Sequence, residues 1–187
     1  SKSSVVFTAT AETDYERWQK LYEPRPADYQ RMQETMKLLP VQPLISIILP
    51  TYNTPEAFLR KAIDSVLVQI YPNWELCIAD DASSDINVRE ILEEYSSKDQ
   101  RIKLVFRTEN GHISRCSNSA LELATGDFIA LLDHDDMLRP EALYEVVFFL
   151  NLHPEADMIY SDEDKIDEID HRCDPFFKPE WCPDSFL

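Results

Sequence analysis

Residues 44–70 read LISIILPTYNTPEAFLRKAIDSVLVQI, and they decide the fold. The first six positions form an aliphatic run between Pro43 and Pro50, the pattern of a strand buried on both faces. Thr54 and Pro55 then supply an N-cap and a first-turn signal. Leu59, Ala62, Ile63, Val66, Leu67 and Ile70 recur at helical spacing along one face.

The same alternation continues downstream. Residues 74–79 are expected to form a second strand, and Val88, Ile91, Leu92 and Tyr95 to mark a second helix. Residues 102–106 read as a third strand and 113–124 as a third helix, closed by Thr125 and Gly126 with the glycine as a left-handed cap. Residues 127–132 read as a fourth buried strand, and 140–150 as a helix with Leu143, Val146, Val147 and Leu150 inward. Residues 158–160 are expected to begin another strand. Repeated strand–helix units with apolar strands predict an α/β fold, a mainly parallel sheet flanked by helices. Upstream, residues 15–22 and 27–39 read as two short helices separated by Pro24 and Pro26. The expected organisation is therefore a helical N-terminal extension over residues 1–43 and one α/β domain over 44–187.

Composition narrows the function. The chain has 187 residues, 44% of them hydrophobic, so it can build a core. Its 35 acidic residues against 18 basic give a net charge of −17, which disfavours nucleic acid and anionic lipid as partners. A diphosphate could approach such a chain only with a cation between the two. No apolar run approaches the ~20 residues of a membrane span, and residues 1–10 lack the apolar segment of a secretion signal. Of the four cysteines, Cys77 and Cys116 read as core thiols, and a reducing, cytoplasmic compartment is the simple expectation. A zinc site from Cys173, Cys182, His171 and His153 lacks paired ligand spacing.

In parallel sheets ligands bind at the carboxyl ends of the strands, which here are residues 50–54, 80–85 and 133–139. With only two glycines, Gly111 and Gly126, no glycine-rich phosphate loop can exist. Carboxylates and a metal must take its place. Asp133, Asp135 and Asp136 follow the fourth strand directly, with 133 and 135 able to point the same way. Such carboxylates repel one another unless Mg²⁺ or Mn²⁺ neutralises them, and that ion would clamp a diphosphate. The competing reading is a solvated loop capping the next helix. Asp80 and Asp81 could accept a ring N–H of a base, or simply form a turn with Ser83, Ser84 and Asp85. Pro50, Thr51, Tyr52 and Asn53 offer a wall for a base and ribose, or a helix cap. Arg115 could reach a phosphate or be an ordinary surface arginine.

Taken together, Ile47-Ile48-Leu49-Pro50-Thr51-Tyr52-Asn53, the stretch 75–84 (ELCIADDASS), Asn110-Gly111, Ala124-Thr125-Gly126-Asp127, the stretch 131–136 (LLDHDD) and Pro140 carry a resemblance. Over residues 44–165 the chain resembles the family 2 glycosyltransferases, whose Rossmann-like nucleotide-binding fold is called GT-A. Residues 160–165 (YSDEDK) and 177–181 (FKPEW) are similar to a bacterial branch that builds surface polysaccharides.

The resemblance implies a metal-dependent inverting transferase that moves a sugar from a nucleotide-sugar, a UDP-sugar first of all, to a glycan acceptor. It implies nucleotide binding by Pro50, Thr51, Tyr52, Asn53, Asp80, Asp81, Arg115 and Asp133, with Asp81 on the base. Asp133, Asp135 and Asp136 would hold Mn²⁺ or Mg²⁺, Asp135 most directly. The family's acceptor-activating carboxylate lies further along its chains, so the catalytic base is expected beyond Leu187 and the domain is expected to be incomplete at its C-terminus. A cytoplasmic place, with room for a peripheral position at the inner face of the membrane, goes with this. The alternative from another class is a non-catalytic acidic metal-binding or interaction module using residues 157–170. An EF-hand within it fails, because Ile166 and Asp167 stand where a ligand and a glycine are needed. A nucleotidyltransferase expects a glycine- and base-rich loop where 50–55 has neither, and nothing selects a carboxylate pair for a glycoside hydrolase.

Overall fold

The structure is a computed structural model that describes residues 12–167 and 169–180. Its elements in order are α1 (Asp14–Tyr22), α2 (Pro26–Met36), β1 (Ile45–Thr51), α3 (Glu56–Leu67), β2 (Trp74–Asp80), α4 (Ile86–Lys98), β3 (Ile102–Phe106), α5 (His112–Leu121), β4 (Phe128–Leu131), α6 (Ala142–Leu152), β5 (Glu163–Ile166) and β6 (Arg172–Phe176). The described residues fall into two compact units, one spanning Ala27–Ala156 and one made of the described residues within Ser1–Pro26 and Asp157–Leu187.

The larger unit is built on a four-stranded parallel sheet in the order β3-β2-β1-β4. Alternate side chains of its central strands go to opposite faces, as a pleated backbone requires. Ile45, Ile47 and Leu49 of β1 and Leu76 and Ile78 of β2 pack with Leu59, Ile63 and Val66 of α3, Val88, Ile91 and Leu92 of α4 and Leu143 and Val147 of α6. Ile48, Cys77 and Ala79 meet Cys116 and Ala120 of α5 on the other face. The two thiols are free, and burial pushes both up to about 11, so they are inert core groups. Met36 of α2 enters the main core, and Asn151 clasps the backbone of Val41 with bonds of 2.9 and 2.8 Å.

The structure departs from the sequence expectations at four places. Gly126 is no left-handed cap, since no glycine has a positive φ and α5 ends at Leu121 with Glu122 as its C-cap. It is needed instead for close approach: a Cβ there would lie 2.5 Å from the Leu44 carbonyl and 2.7 Å from Ser46 Oγ. β4 is not fully buried, because it is an edge strand and Leu131 is 79% exposed. Thr54 does not cap α3: the N-cap is Pro55, and the buried Thr54 hydroxyl has no hydrogen-bond partner among the described residues. Residues 158–160 form no strand, and the next strands are the antiparallel pair β5–β6.

In the smaller unit α1 begins with a capping box between Thr13 and Glu16. Asp164 accepts from both Tyr15 and Arg172, and Arg172 also pairs with Glu23. Trp18 stacks on Tyr15, lies tilted against Tyr22 and meets Phe177 edge-on at 5.3 Å. Trp181, Cys182 and the stretch 1–10 lie outside the described residues. Among the described residues no helix is long and apolar enough to cross a membrane.

Candidate functional site

The parallel order brings the ends of β3, β2, β1 and β4 side by side, so the three loops singled out in the sequence share one edge of the sheet. Of the five left-handed non-glycine residues among the described residues, three lie there, the others being Asp170 and Asp174. Asn53, Ala82 and His112, which follow β1, β2 and β3, have φ of 47°, 60° and 60°. A left-handed conformation costs a non-glycine residue about 1–2 kcal/mol, and such costs cluster at functional sites.

The loop after β1 is tied to the loop after β2. The Thr51 hydroxyl is buried and lies 3.2 Å from Asp80 Oδ1, while Asp81 N donates to the Thr51 carbonyl at 2.9 Å. Asn53 N donates to Ser83 Oγ at 2.8 Å. Its side-chain oxygen accepts from Ser84 N at 2.8 Å, Ser84 Oγ at 3.2 Å and Asp85 N at 3.3 Å. Asn53 is thus a clamp, and the face left open between the loops is Tyr52, which is 47% exposed. Pro50 is buried within β1.

The two aspartates after β2 differ. Asp80 turns inward to its own loop, accepting from Ser83 N at 3.0 Å, from the Ser83 hydroxyl and from Thr51. Asp81 is held from the β3 side: Arg107 Nε donates to its Oδ1 at 2.8 Å, and Gly111 N reaches Oδ1 at 2.9 Å and Oδ2 at 3.0 Å. A cavity of about 240 Å³ opens beside them, lined by Asp80, Ser83, Ser84, Asp85, Arg89 and Arg107 among others. Arg107, which lines this cavity and holds Asp81, is a residue the sequence reading passed over. It directly follows β3, so the strand-end rule applied to a fourth loop would have found it. Arg115, on α5, is exposed.

The acidic loop leaves the sheet after Leu132, whose amide donates to Ile48 O at 3.1 Å. Asp136 N closes a turn on the Asp133 carbonyl at 3.1 Å, and Asp133, Asp135 and Asp136 are all exposed. The chain beyond is pinned by two buried polar residues the sequence reading missed, Ser65 on α3 and Gln69 just after it. Leu138 N donates to Ser65 Oγ at 3.1 Å, Gln69 Nε2 to the Arg139 carbonyl at 2.6 Å, and Leu143 N to Gln69 Oε1 at 3.0 Å. The donor set is one of exposed carboxylates, and among the described residues no three His, Cys, Asp or Glu side chains form a ready cage. That suits Mg²⁺ or Mn²⁺, which takes one or two carboxylates and completes its shell with water and phosphate oxygens. It does not suit a structural zinc.

A model of the family described as glycosyl transferase family 2 matches residues 46–175. The chain belongs to glycosyl transferase family 2. It is 38% identical over 171 residues to the O-antigen biosynthesis protein RfbC of Myxococcus xanthus, covering 91% of this chain and 13% of that protein. Among solved structures, S. aureus TarS 1–349 in complex with UDP-GlcNAc aligns with a TM-score of 0.54 and 31% identity over 59% of this chain and 32% of that one. The mannosyltransferase PcManGT of Pyrobaculum calidifontis, in complex with GDP-Man and Mn²⁺, aligns with a TM-score of 0.55 and 25% identity over 65% of this chain and 38% of that one. The fold is the GT-A fold of these neighbours. The chain spans less than a fifth of the length of RfbC and of another curated relative that it matches.

Proposed function

We propose that this chain is the donor-binding portion of a glycosyltransferase that moves a sugar from a UDP-sugar to a polysaccharide or glycan acceptor, with metal assistance and inversion at the anomeric carbon. The observation that supports it is the placement of three loops at one sheet edge: Tyr52 open between them, Asp81 fixed on one side and exposed carboxylates 133–136 on the other. Tyr52, with Thr51 and Pro50 behind it, forms the wall against which a base and ribose lie. Asp81 accepts the base N–H, and Asn53 and Asp80 hold the wall in shape. Asp133, Asp135 and Asp136 would hold the Mn²⁺ or Mg²⁺, with Asp133 also facing the nucleotide. When bound, the ion offsets negative charge on the departing diphosphate. Arg115, exposed on α5, is available to a phosphate. The acceptor-activating base is not assigned to any residue of this chain. The cytoplasm, including the inner face of the membrane, fits a chain with two free core thiols.

Calorimetric titration of UDP, GDP and dTDP with Mn²⁺, and again with EDTA, tests the reading. Metal-dependent binding of UDP that is lost in Asp135→Ala is expected. UDP binding indifferent to both EDTA and Asp135→Ala would remove the metal from the proposal, and binding of no nucleotide would overturn it whole.

A further inference from the structure

Arg107 has a role beyond holding two loops together. Resting on the reading that Asp81 meets the base, we infer that Arg107 sets base selectivity by filling one oxygen of Asp81, so that the carboxylate offers a single acceptor and favours a base edge with a single N–H.

The argument is one of lone pairs. A carboxylate has about four acceptor positions, two on each oxygen. Asp81 Oδ1 takes Arg107 Nε at 2.8 Å and Gly111 N at 2.9 Å, and is full. Among the described residues Oδ2 takes only the shared Gly111 amide, at 3.0 Å. The Asp81 side chain is 3% exposed, so it has no room to rotate and exchange its oxygens. Arg107 is equally fixed: its Nη1 donates to the Arg115 carbonyl at 3.2 Å and to Ser119 Oγ at 2.6 Å. Gly111 is what lets the guanidinium lie where it does, because a Cβ at 111 would sit 2.6 Å from Arg107 Nη2.

The chemistry of the bases then divides them. Uracil and thymine present one donor, N3–H, between two carbonyl acceptors. Guanine presents N1–H and the 2-amino group side by side and pairs best with a carboxylate whose two oxygens are both free. Hypoxanthine has the guanine ring system without the 2-amino group, and so one donor. A buried donor with no acceptor loses its hydration without replacement. The site therefore penalises guanine for its amino group, separately from any penalty for purine size.

The test is titration of the wild-type chain with UDP, IDP and GDP in Mn²⁺, then of Arg107→Met, which keeps the stem volume but frees one acceptor position on Oδ1, the other staying with Gly111 N. In the wild type UDP binds tightest and IDP binds about tenfold more tightly than GDP, the worth of one unmatched buried donor. In Arg107→Met the IDP-to-GDP ratio falls towards one. Both ligands meet the same folded molecules, so a general loss of stability leaves the ratio unmoved, and Glu75→Gln, at the opposite end of β2, serves as the control for that. GDP binding as tightly as IDP in the wild type, both purines being undetectable while UDP binds, or a folded Arg107→Met with the wild-type ratio would each overturn the inference while leaving the donor site intact. Should Arg107→Met not fold, the wild-type comparison decides alone. Binding of none of the three would overturn the proposed function itself, and the inference with it.

Discussion

Glu75 provides the sharpest stability prediction. It stands near the start of β2, 5% exposed, at the end of the sheet away from the candidate site. Its Oε1 accepts from Ser46 Oγ at 2.7 Å and Thr125 N at 2.6 Å; its Oε2 takes Lys103 Nζ at 2.6 Å and Thr125 Oγ1 at 2.9 Å. Burial pushes this carboxyl up, but Lys103, Ser46 and Thr125 outweigh it and hold it down to about 2. Against an ordinary value of 4.5, that corresponds to about 3 kcal/mol. Lys103 is a third exposed, so screening discounts its part, and about 2 kcal/mol is the working figure. Glu75→Gln keeps one acceptor oxygen and sets an amide NH₂ against the ammonium. Urea unfolding at pH 7 should show a loss of about 2 kcal/mol, with Tm lower by about 4–8 °C. Because the folded carboxyl is depressed, its contribution is complete above about pH 4.5 and fades as pH falls towards 2. The gap between wild type and variant should therefore narrow steadily as acid is added. A variant as stable as wild type at pH 7, or a gap that stays constant down to about pH 3, would refute the reasoning.

Gly126→Ala should destabilise by about 1–3 kcal/mol, since its Cβ meets the Leu44 carbonyl at 2.5 Å in a packed corner; chemical unfolding measures it. Thr54→Val removes a buried hydroxyl that has no partner among the described residues and should be neutral or stabilising by up to about 1 kcal/mol, read in the same assay. Asp135→Ala should leave the Tm within about 1 °C, since the side chain is exposed, while abolishing metal-dependent UDP binding. Ala82→Gly relieves a left-handed alanine and should raise stability by up to about 1 kcal/mol, offset in part by the freedom glycine gains when unfolded.

The main strands and helices were legible because they are long, apolar and periodic. Val88, Ile91, Leu92 and Tyr95 all face inward as their spacing requires. The misses have physical causes. Periodicity cannot tell an edge strand from a central one, so β4 read as buried although Leu131 faces solvent. A glycine after a helix pattern suggests a cap, and only three-dimensional proximity shows that Gly126 is there to admit the Leu44 carbonyl. At the site, the aspartates were visible as residues, but which oxygen each one spends was not. That Asp80 serves its own loop while Asp81 is bound to Arg107 and Gly111 depends on contacts 26 to 30 positions apart in the chain. Ser65 was hidden on a helix face that otherwise reads as plain core, and Gln69 in the apolar stretch just after that helix.

The clamp made by Asn53 has a thermodynamic consequence. Three donors from the β2–α4 loop converge on one amide oxygen, and neither that loop nor the one after β1 contains a glycine. Fixing one residue's backbone costs about 1–2 kcal/mol, and here that cost is met when the chain folds rather than when a ligand arrives. On the proposed reading, nucleotide capture at this edge should proceed with little ordering entropy to lose, and its heat-capacity change should reflect surface burial alone. The rigidity that glycine turns give to phosphate loops around their ligand is supplied at this edge by side-chain cross-links between strand ends, already formed without one.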